Sequence, residues 1–143
     1  MMNVLDPVSS IMTTNLVTVN AKDKLLEVKK IFDNHKIHHV PVVDFRKIIG
    51  IISKTDLLSF LKGASGDSYE KFLNESRLRN YYAEEIMTTG IAKLNSTDRI
   101  AIALEVFKEN LFHAIPVVDN DELVGIVTTY DIIKTLADEP VNN

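Results

Sequence analysis

Apolar positions recur along this chain at two periods, and the switches between them mark out the elements. After Asp23, Leu25, Val28, Ile31 and Phe32 fall on one face of a 3.6-residue repeat, which predicts a helix running to about Asn34. Ahead of it, Leu16 to Val19 reads as a short strand. Two β-branched runs follow, Val40 to Val43 and Ile48 to Ile52, and the polar turn Asp44-Phe45-Arg46-Lys47 between them makes a hairpin. A short helix is expected after Asp56. The same order then returns. Ile100, Ala103, Leu104 and Phe107 repeat the helical face, with Asn95-Ser96-Thr97-Asp98 as the predicted N-cap signal. Asp119-Asn120-Asp121-Glu122 is the second hairpin turn, and a final helix follows Asp131.

The recurrence is in register: Ile11 to Leu58 returns as Ile86 to Ile133, displaced by about 75 residues without a gap. Ile11-Met12-Thr13-Thr14 becomes Ile86-Met87-Thr88-Thr89, and Pro41-Val42-Val43-Asp44 becomes Pro116-Val117-Val118-Asp119. Gly50 and Asp56 become Gly125 and Asp131. The fold class is therefore mixed α+β, strand-helix-strand-strand-helix written twice. Each copy is too small to bury an adequate core alone, so two halves packed about a pseudo-twofold axis are expected, with paired clefts between them. The sequence divides into a first motif over 1–66, a bridging segment over 67–83 and a second motif over 84–143. Lys62 to Ser68 carries the glycine and small polar residues of a flexible turn. Tyr69, Phe72, Leu73, Leu78, Tyr81 and Tyr82 are too apolar for a free linker and predict a bridging helix packed on the module. Arg77 and Arg79 on that segment read as solvated charges, the alternative being a phosphate contact reaching over a cleft.

Composition narrows the function classes. With 143 residues, 45% hydrophobic and 25% charged, the chain reads as one soluble, well-cored domain. A net charge of −4 and a pI near 5.5 argue against a nucleic-acid or anionic-membrane surface. The absence of cysteine removes disulfides and thiolate chemistry and fits a cytoplasmic location. No signal peptide precedes the first repeat, and the apolar runs fall far short of the roughly 18 residues of a membrane span. No P-loop, HExxH, GxSxG or dinucleotide fingerprint occurs, so the reading is not an enzyme and needs no cofactor. His35, His38, His39 and Asp44 can be drawn as a metal site, but strand alternation would send His38 and His39 to opposite faces.

Candidate chemistry is concentrated where the second hairpin strand of each copy meets its last helix, at Gly50-Ile51-Ile52-Ser53-Lys54-Thr55-Asp56 and Gly125-Ile126-Val127-Thr128-Thr129-Tyr130-Asp131. Ser53 with Asp56, and Thr128 with Asp131, fit a capping box. The same pairs can equally face a cleft, where the carboxylate accepts hydrogen bonds from adjacent sugar hydroxyls and the helix N-terminus favours a phosphate. The glycine would let a ligand approach the backbone closely.

These strings, with the two Ile-Met-Thr and two Pro-Val-Val-Asp blocks in the same order and spacing, resemble the paired cystathionine beta-synthase (CBS) motif, the tandem called a Bateman module. The resemblance covers nearly the whole chain. It implies a regulatory module that binds an adenine nucleotide (AMP, ADP or ATP) or S-adenosylmethionine, with Ser53, Asp56, Thr128 and Asp131 on the ribose. The backbone ahead of the prolines, at Val40 and Ile115, would border the adenine. Ile37-His38-His39-Val40-Pro41 is similar to the segment through which gamma subunits of AMP-activated kinase reach nucleotide phosphates, and Phe112-His113-Ala114-Ile115-Pro116 is its partner. His38 and His113 are thus phosphate candidates, while His39, replaced by Ala114 in the second copy, departs from the pattern. Lys54 and Lys36 add positive charge to the first copy only, their counterparts being Thr129 and Leu111. The family's usual assembly implies a homodimer that signals to an unidentified effector protein in trans. The alternative is a dimerisation or docking module that holds no ligand.

Overall fold

The computed structural model describes residues 1–61 and 68–140; most of the predicted turn at Lys62 to Ser68, residues 62–67, lies outside them. The described elements run in the order η1 (Val8–Ser10, a 3-10 turn), β1 (Val19–Asn20), α1 (Leu25–Asn34), β2 (His39–Asp44), β3 (Lys47–Ser53) and α2 (Lys54–Leu61). Then come α3 (Ser68–Asn80), α4 (Ala83–Ile86), α5 (Ile100–Lys108), β4 (Ala114–Asp119), β5 (Glu122–Thr128) and α6 (Thr129–Ala137). Mixed α and β elements in tandem repeats are as the sequence predicts. Among the described residues, no helix is long and apolar enough to cross a membrane.

Two compact units form, and they cut the chain differently from the sequence repeats. One is the continuous stretch Val17–Gly90; the other joins Met1–Leu16 to Ile91–Asn143. The Ile-Met-Thr segment at the start of each sequence repeat therefore packs with the hairpin of the other repeat.

In the Val17–Gly90 unit, β1 pairs parallel with β2, and β2 pairs antiparallel with β3 through the two-residue turn Phe45-Arg46. Phe45 and Arg46 both have positive φ, 49° and 75°, which matches the right-handed twist of the strands. The register shifts between Val42 and Val43, a bulge beside Gly50. Leu25, Val28 and Phe32 bury the predicted face of α1 against Val40, Val42 and Ile52 of the sheet. Thr88 then runs antiparallel alongside Ile51, exchanging backbone hydrogen bonds of 3.0 and 2.8 Å.

The other unit repeats this plan. β4 and β5 pair through Asn120-Asp121, again at positive φ (50° and 65°), with the equivalent bulge between Val117 and Val118. Thr13 pairs with Ile126 through bonds of 2.8 and 3.0 Å. Ile100, Ala103, Ile115, Val117 and Val127 form the core with Val8.

Several expectations are corrected by this packing. The strand expected over Leu16 to Val19 shrinks to Val19–Asn20, and its second-copy counterpart is the single parallel bridge Leu94 to Val117. Asn95-Ser96-Thr97-Asp98 does not cap α5. Asp98 instead accepts the Asn95 N–H at 2.8 Å and closes a turn, just as Asp23 accepts from Asn20 at 2.8 Å. The N-caps are Arg99 and Lys24, neither with a side-chain capping bond. The orphan first-turn donors are met by the crossing segment: Ile100 N–H by Asp6 O and Ala101 N–H by Val4 O, with Leu25 N–H met by Tyr81 O in the other unit.

The bridging helix is α3, and Tyr69 and Phe72 on it are largely exposed; of the six apolar residues named there, Leu78 is the buried one. Tyr81 meets Phe60 edge-on at 5.0 Å between ring centroids. Arg77 is not a solvated charge. Its guanidinium donates to Leu61 O at 3.2 Å and Asn74 Oδ1 at 2.9 Å, satisfying a carbonyl at the end of α2.

Candidate ligand-binding site

Each hairpin ends, away from its turn, where the last strand feeds the last helix. In the Val17–Gly90 unit, His39 lies opposite Ser53 across the β2–β3 ladder, and Lys54 N–H donates to His38 O at 2.8 Å. Ser53 and Asp56 close a reciprocal box: Asp56 N–H donates to Ser53 Oγ at 2.9 Å, and Ser53 N–H donates to Asp56 Oδ2 at 3.1 Å. In the other unit Ala114 lies opposite Thr128, and Thr129 N–H donates to His113 O at 3.1 Å. Asp131 N–H donates to Thr128 Oγ1 at 3.0 Å, while Thr128 N–H donates to Asp131 Oδ2 at 2.9 Å.

The strand pairing thus gathers His38, Ser53, Lys54 and Asp56 at one place in the first unit, and His113, Thr128, Thr129 and Asp131 in the second. His38, His113 and Lys54 are exposed, and the two hydroxyl–carboxylate pairs are half-buried. Val40 and Ile115 are fully buried, each with its side chain in the core of its unit, so only their backbone can border a ligand. Lys36 is exposed between α1 and β2.

Gly50 and Gly125 have a role different from the expected close approach of a ligand. A Cβ at Gly50 would stand 2.5 Å from Met87 Sδ and 3.0 Å from Met87 Cβ; at Gly125 it would stand 2.6 Å from Met12 Sδ and 3.2 Å from Thr13 O. Each glycine clears space for the methionine of the crossing Ile-Met-Thr segment. The co-occurrence of the Gly and Ile-Met-Thr blocks in both copies was the available signal.

A second feature was also unread in the sequence. The Thr13 hydroxyl donates to Asp131 Oδ1 at 3.1 Å, so the outer oxygen of this carboxylate already has a partner. Among the described residues no equivalent bond joins Thr88 to Asp56.

A cavity of about 350 Å³ lies elsewhere, lined by Asn20, Ala21, Lys22, Asp44, Phe45 and Arg46 at the β2–β3 turn. That is the opposite end of the hairpin from Ser53 and Asp56. Lys22 there is ion-paired with Glu84, whose hydrogen bond and charge raise the ammonium pKa above its ordinary value.

The chain is similar to known proteins over most of its length. The CBS domain model matches residues 8–63 and 83–138. The CBS domain of a CBS domain-containing membrane protein from Sphaerobacter thermophilus is 28% identical, with a TM-score of 0.77 over 92% of this chain and 88% of that one. CBSX2 of Arabidopsis thaliana, solved in complex with AMP, is 23% identical, with a TM-score of 0.76 over 94% of this chain and 99% of its own. An uncharacterized Methanocaldococcus jannaschii protein, MJ1225, is 26% identical over 87% of this chain and 45% of its own length. The chain spans less than half the length of that relative and of others from the same organism. The two model matches cover most of the chain, which therefore belongs to the CBS domain family and carries the domain twice.

Proposed function

We propose that this chain is a non-catalytic regulatory module that binds an adenosine-containing ligand, AMP, ADP, ATP or S-adenosylmethionine, and passes occupancy to an effector protein. The observation that carries the reading is the gathering, at the end of each hairpin, of a hydroxyl, a carboxylate, a histidine and a helix N-terminus. Asp56 and Asp131 are the acceptors for ribose hydroxyls, which donate to the carboxylate oxygen outside the capping box. Charge-assisted bonds of this kind contribute about 1.5–3 kcal/mol each. His38, His113 and Lys54 supply donors for phosphate, with the N-termini of α2 and α6 adding favourable partial charge. Backbone at Val40 and Ile115 borders the base. The AMP held by CBSX2, a protein of the same fold, supports the choice of ligand. Both carboxylates act as fixed acceptors here, a binding role rather than proton transfer.

A homodimer accompanies this reading. Tyr130, Ile133 and Leu136 form an exposed apolar stripe at helical spacing on α6, and Leu58 is exposed on α2.

Titration calorimetry of the full chain with the four ligands tests the proposal. The double variant D56N/D131N is expected to bind at least tenfold more weakly while staying folded, because asparagine retains one oxygen for the cap. Unchanged affinity would remove the ribose assignment. A second reading has its own observation: both capping boxes are complete without any ligand. If wild type binds none of the four and the double variant only melts earlier, the module is a ligand-free dimerisation or docking unit.

A further inference from the structure

We propose that the cavity at the β2–β3 turn is a second binding site, separate from the two hydroxyl–carboxylate pairs, and that it takes a free α-amino acid with an apolar side chain, held as its zwitterion. Phe45 sits there in left-handed backbone, at a φ of 49°, which disfavours a bulky side chain far more than asparagine or glycine. Its ring is 91% exposed, so it adds almost nothing to the core. Backbone strain that packing does not offset points to a use for the side chain. The other hairpin makes the same turn with Asn120-Asp121, so the fold itself requires neither an aromatic ring nor a guanidinium at these positions.

The lining supplies complementary chemistry on a small scale. About 350 Å³ lies at the low end of the roughly 300–1,000 Å³ of ligand cavities, which suits a molecule the size of one amino acid. Ala21 and Val43 give an apolar wall, and Phe45 an open ring face. The Asp44 carboxylate has no hydrogen-bond or ion-pair partner among the described residues. Lys22 holds Glu84 with one of its N–H donors and is otherwise exposed, so its ammonium can serve a second acceptor, and Arg46 adds forked donors beside it. An acceptor carrying full negative charge next to two cations matches an amino acid. The ligand's ammonium donates to Asp44, its carboxylate accepts from Lys22 and Arg46, and its side chain covers Phe45. A nucleotide brings phosphate charge and no ammonium, which sets its anionic end against Asp44. In the repeat, Lys22, Phe45 and Arg46 become Thr97, Asn120 and Asp121, so the second unit offers neither cation nor ring at these positions.

The test is amide chemical-shift titration of the full chain with phenylalanine and with leucine. Saturable shifts are expected at Ala21, Lys22 and Asp44 to Arg46. D44N and F45N are each expected to bind phenylalanine about tenfold more weakly, the equivalent of one charge-assisted contact or of the lost ring face. F45N relieves the turn and is expected to melt no earlier than wild type, so its loss of affinity cannot come from unfolding. N-acetylphenylalanine, which lacks the ammonium, and phenylalaninamide, which lacks the carboxylate, are both expected to bind about tenfold more weakly than phenylalanine. D119N, at the equivalent position of the second unit, and D56N/D131N are expected to bind phenylalanine as wild type does. Absence of shifts with both amino acids overturns the inference, as does wild-type affinity in F45N and D44N. Equal binding of the acetylated or amidated form removes the zwitterion, and loss of affinity in D119N or D56N/D131N places the ligand elsewhere; either result also overturns it.

Discussion

The two hairpin units agree in some places and differ in others. The Val17–Gly90 unit pairs β1 with β2 at two positions, whereas the other unit keeps the single bridge Leu94 to Val117. The first turns through Phe45-Arg46, with Phe45 91% exposed, the second through Asn120-Asp121. The first leaves Thr88 off Asp56; the second binds Thr13 to Asp131. What both keep is the crossing Ile-Met-Thr segment bridged to the hairpin, the methionine over the glycine, and the capping box. The shared features are those that close each core and each helix start. The differences fall on the β1 pairing, on the turn and on the outer carboxylate oxygen, where the fold tolerates change.

The largest test of this comparison is to cut the chain. Division between residues 66 and 67 follows the sequence repeat but takes Met87 from Gly50 and the Tyr81 carbonyl from Leu25. A 1–66 fragment is expected to be molten, while a 17–90 fragment shows more helical circular dichroism and a cooperative melt. Equal behaviour would mean that the crossing segment contributes little to closing the core.

Next in size is overpacking beneath the methionine. G50A places a Cβ against Met87 Sδ, Cγ and Cβ together, so the whole side chain must move, at about 1–3 kcal/mol by chemical denaturation. G125A also presses on the Thr13 carbonyl and is expected to cost at least as much. Combining G50A with M87A should recover part of the loss, and strict additivity would contradict the contact.

A smaller effect, of opposite sign, is expected at the turn. Left-handed backbone costs a residue such as phenylalanine about 1–2 kcal/mol relative to glycine, whereas asparagine and aspartate tolerate it. F45N/R46G is expected to raise stability by about 1 kcal/mol, and D121G, where the turn is already suitable, by less.

The smallest effect is at acid pH. Ser96 donates to Asp119 Oδ1 at 3.0 Å and holds that carboxyl below its ordinary range. A depressed folded-state pKa stabilises above the unfolded value, and the contribution disappears as pH falls through the folded one. The melting difference between wild type and D119N should therefore be constant near neutrality, begin to shrink below about pH 4, and disappear only at still lower pH, once the folded-state carboxyl is protonated. Persistence in strong acid would assign the difference to packing.

Much of this was legible in the sequence because its signals are local. Helix faces, hairpin runs and polar turns are written within a few residues, and the 75-residue register made each reading in one copy a check on the other. The crosswise pairing was not legible. Thr13 with Ile126 and Ile51 with Thr88 are short bridges far apart in sequence, with no periodicity to announce them. Because those segments also supply first-turn acceptors, Arg99 and Lys24 do without capping side chains, and Asp98, in the string that resembled a cap, closes a turn instead. At the site, Ser53, Asp56, Thr128 and Asp131 could be named from their spacing, but Thr13 could not, since its bond to Asp131 depends on the crossing.

The binding claim is tested most directly by amide chemical-shift mapping during an AMP titration of the full chain. Saturable shifts are predicted at His38, Ser53 to Asp56, His113 and Thr128 to Asp131. All should be lost in D56N/D131N. Shifts confined to Asn20, Lys22 and Phe45 at the turn cavity, or none at all, would contradict it.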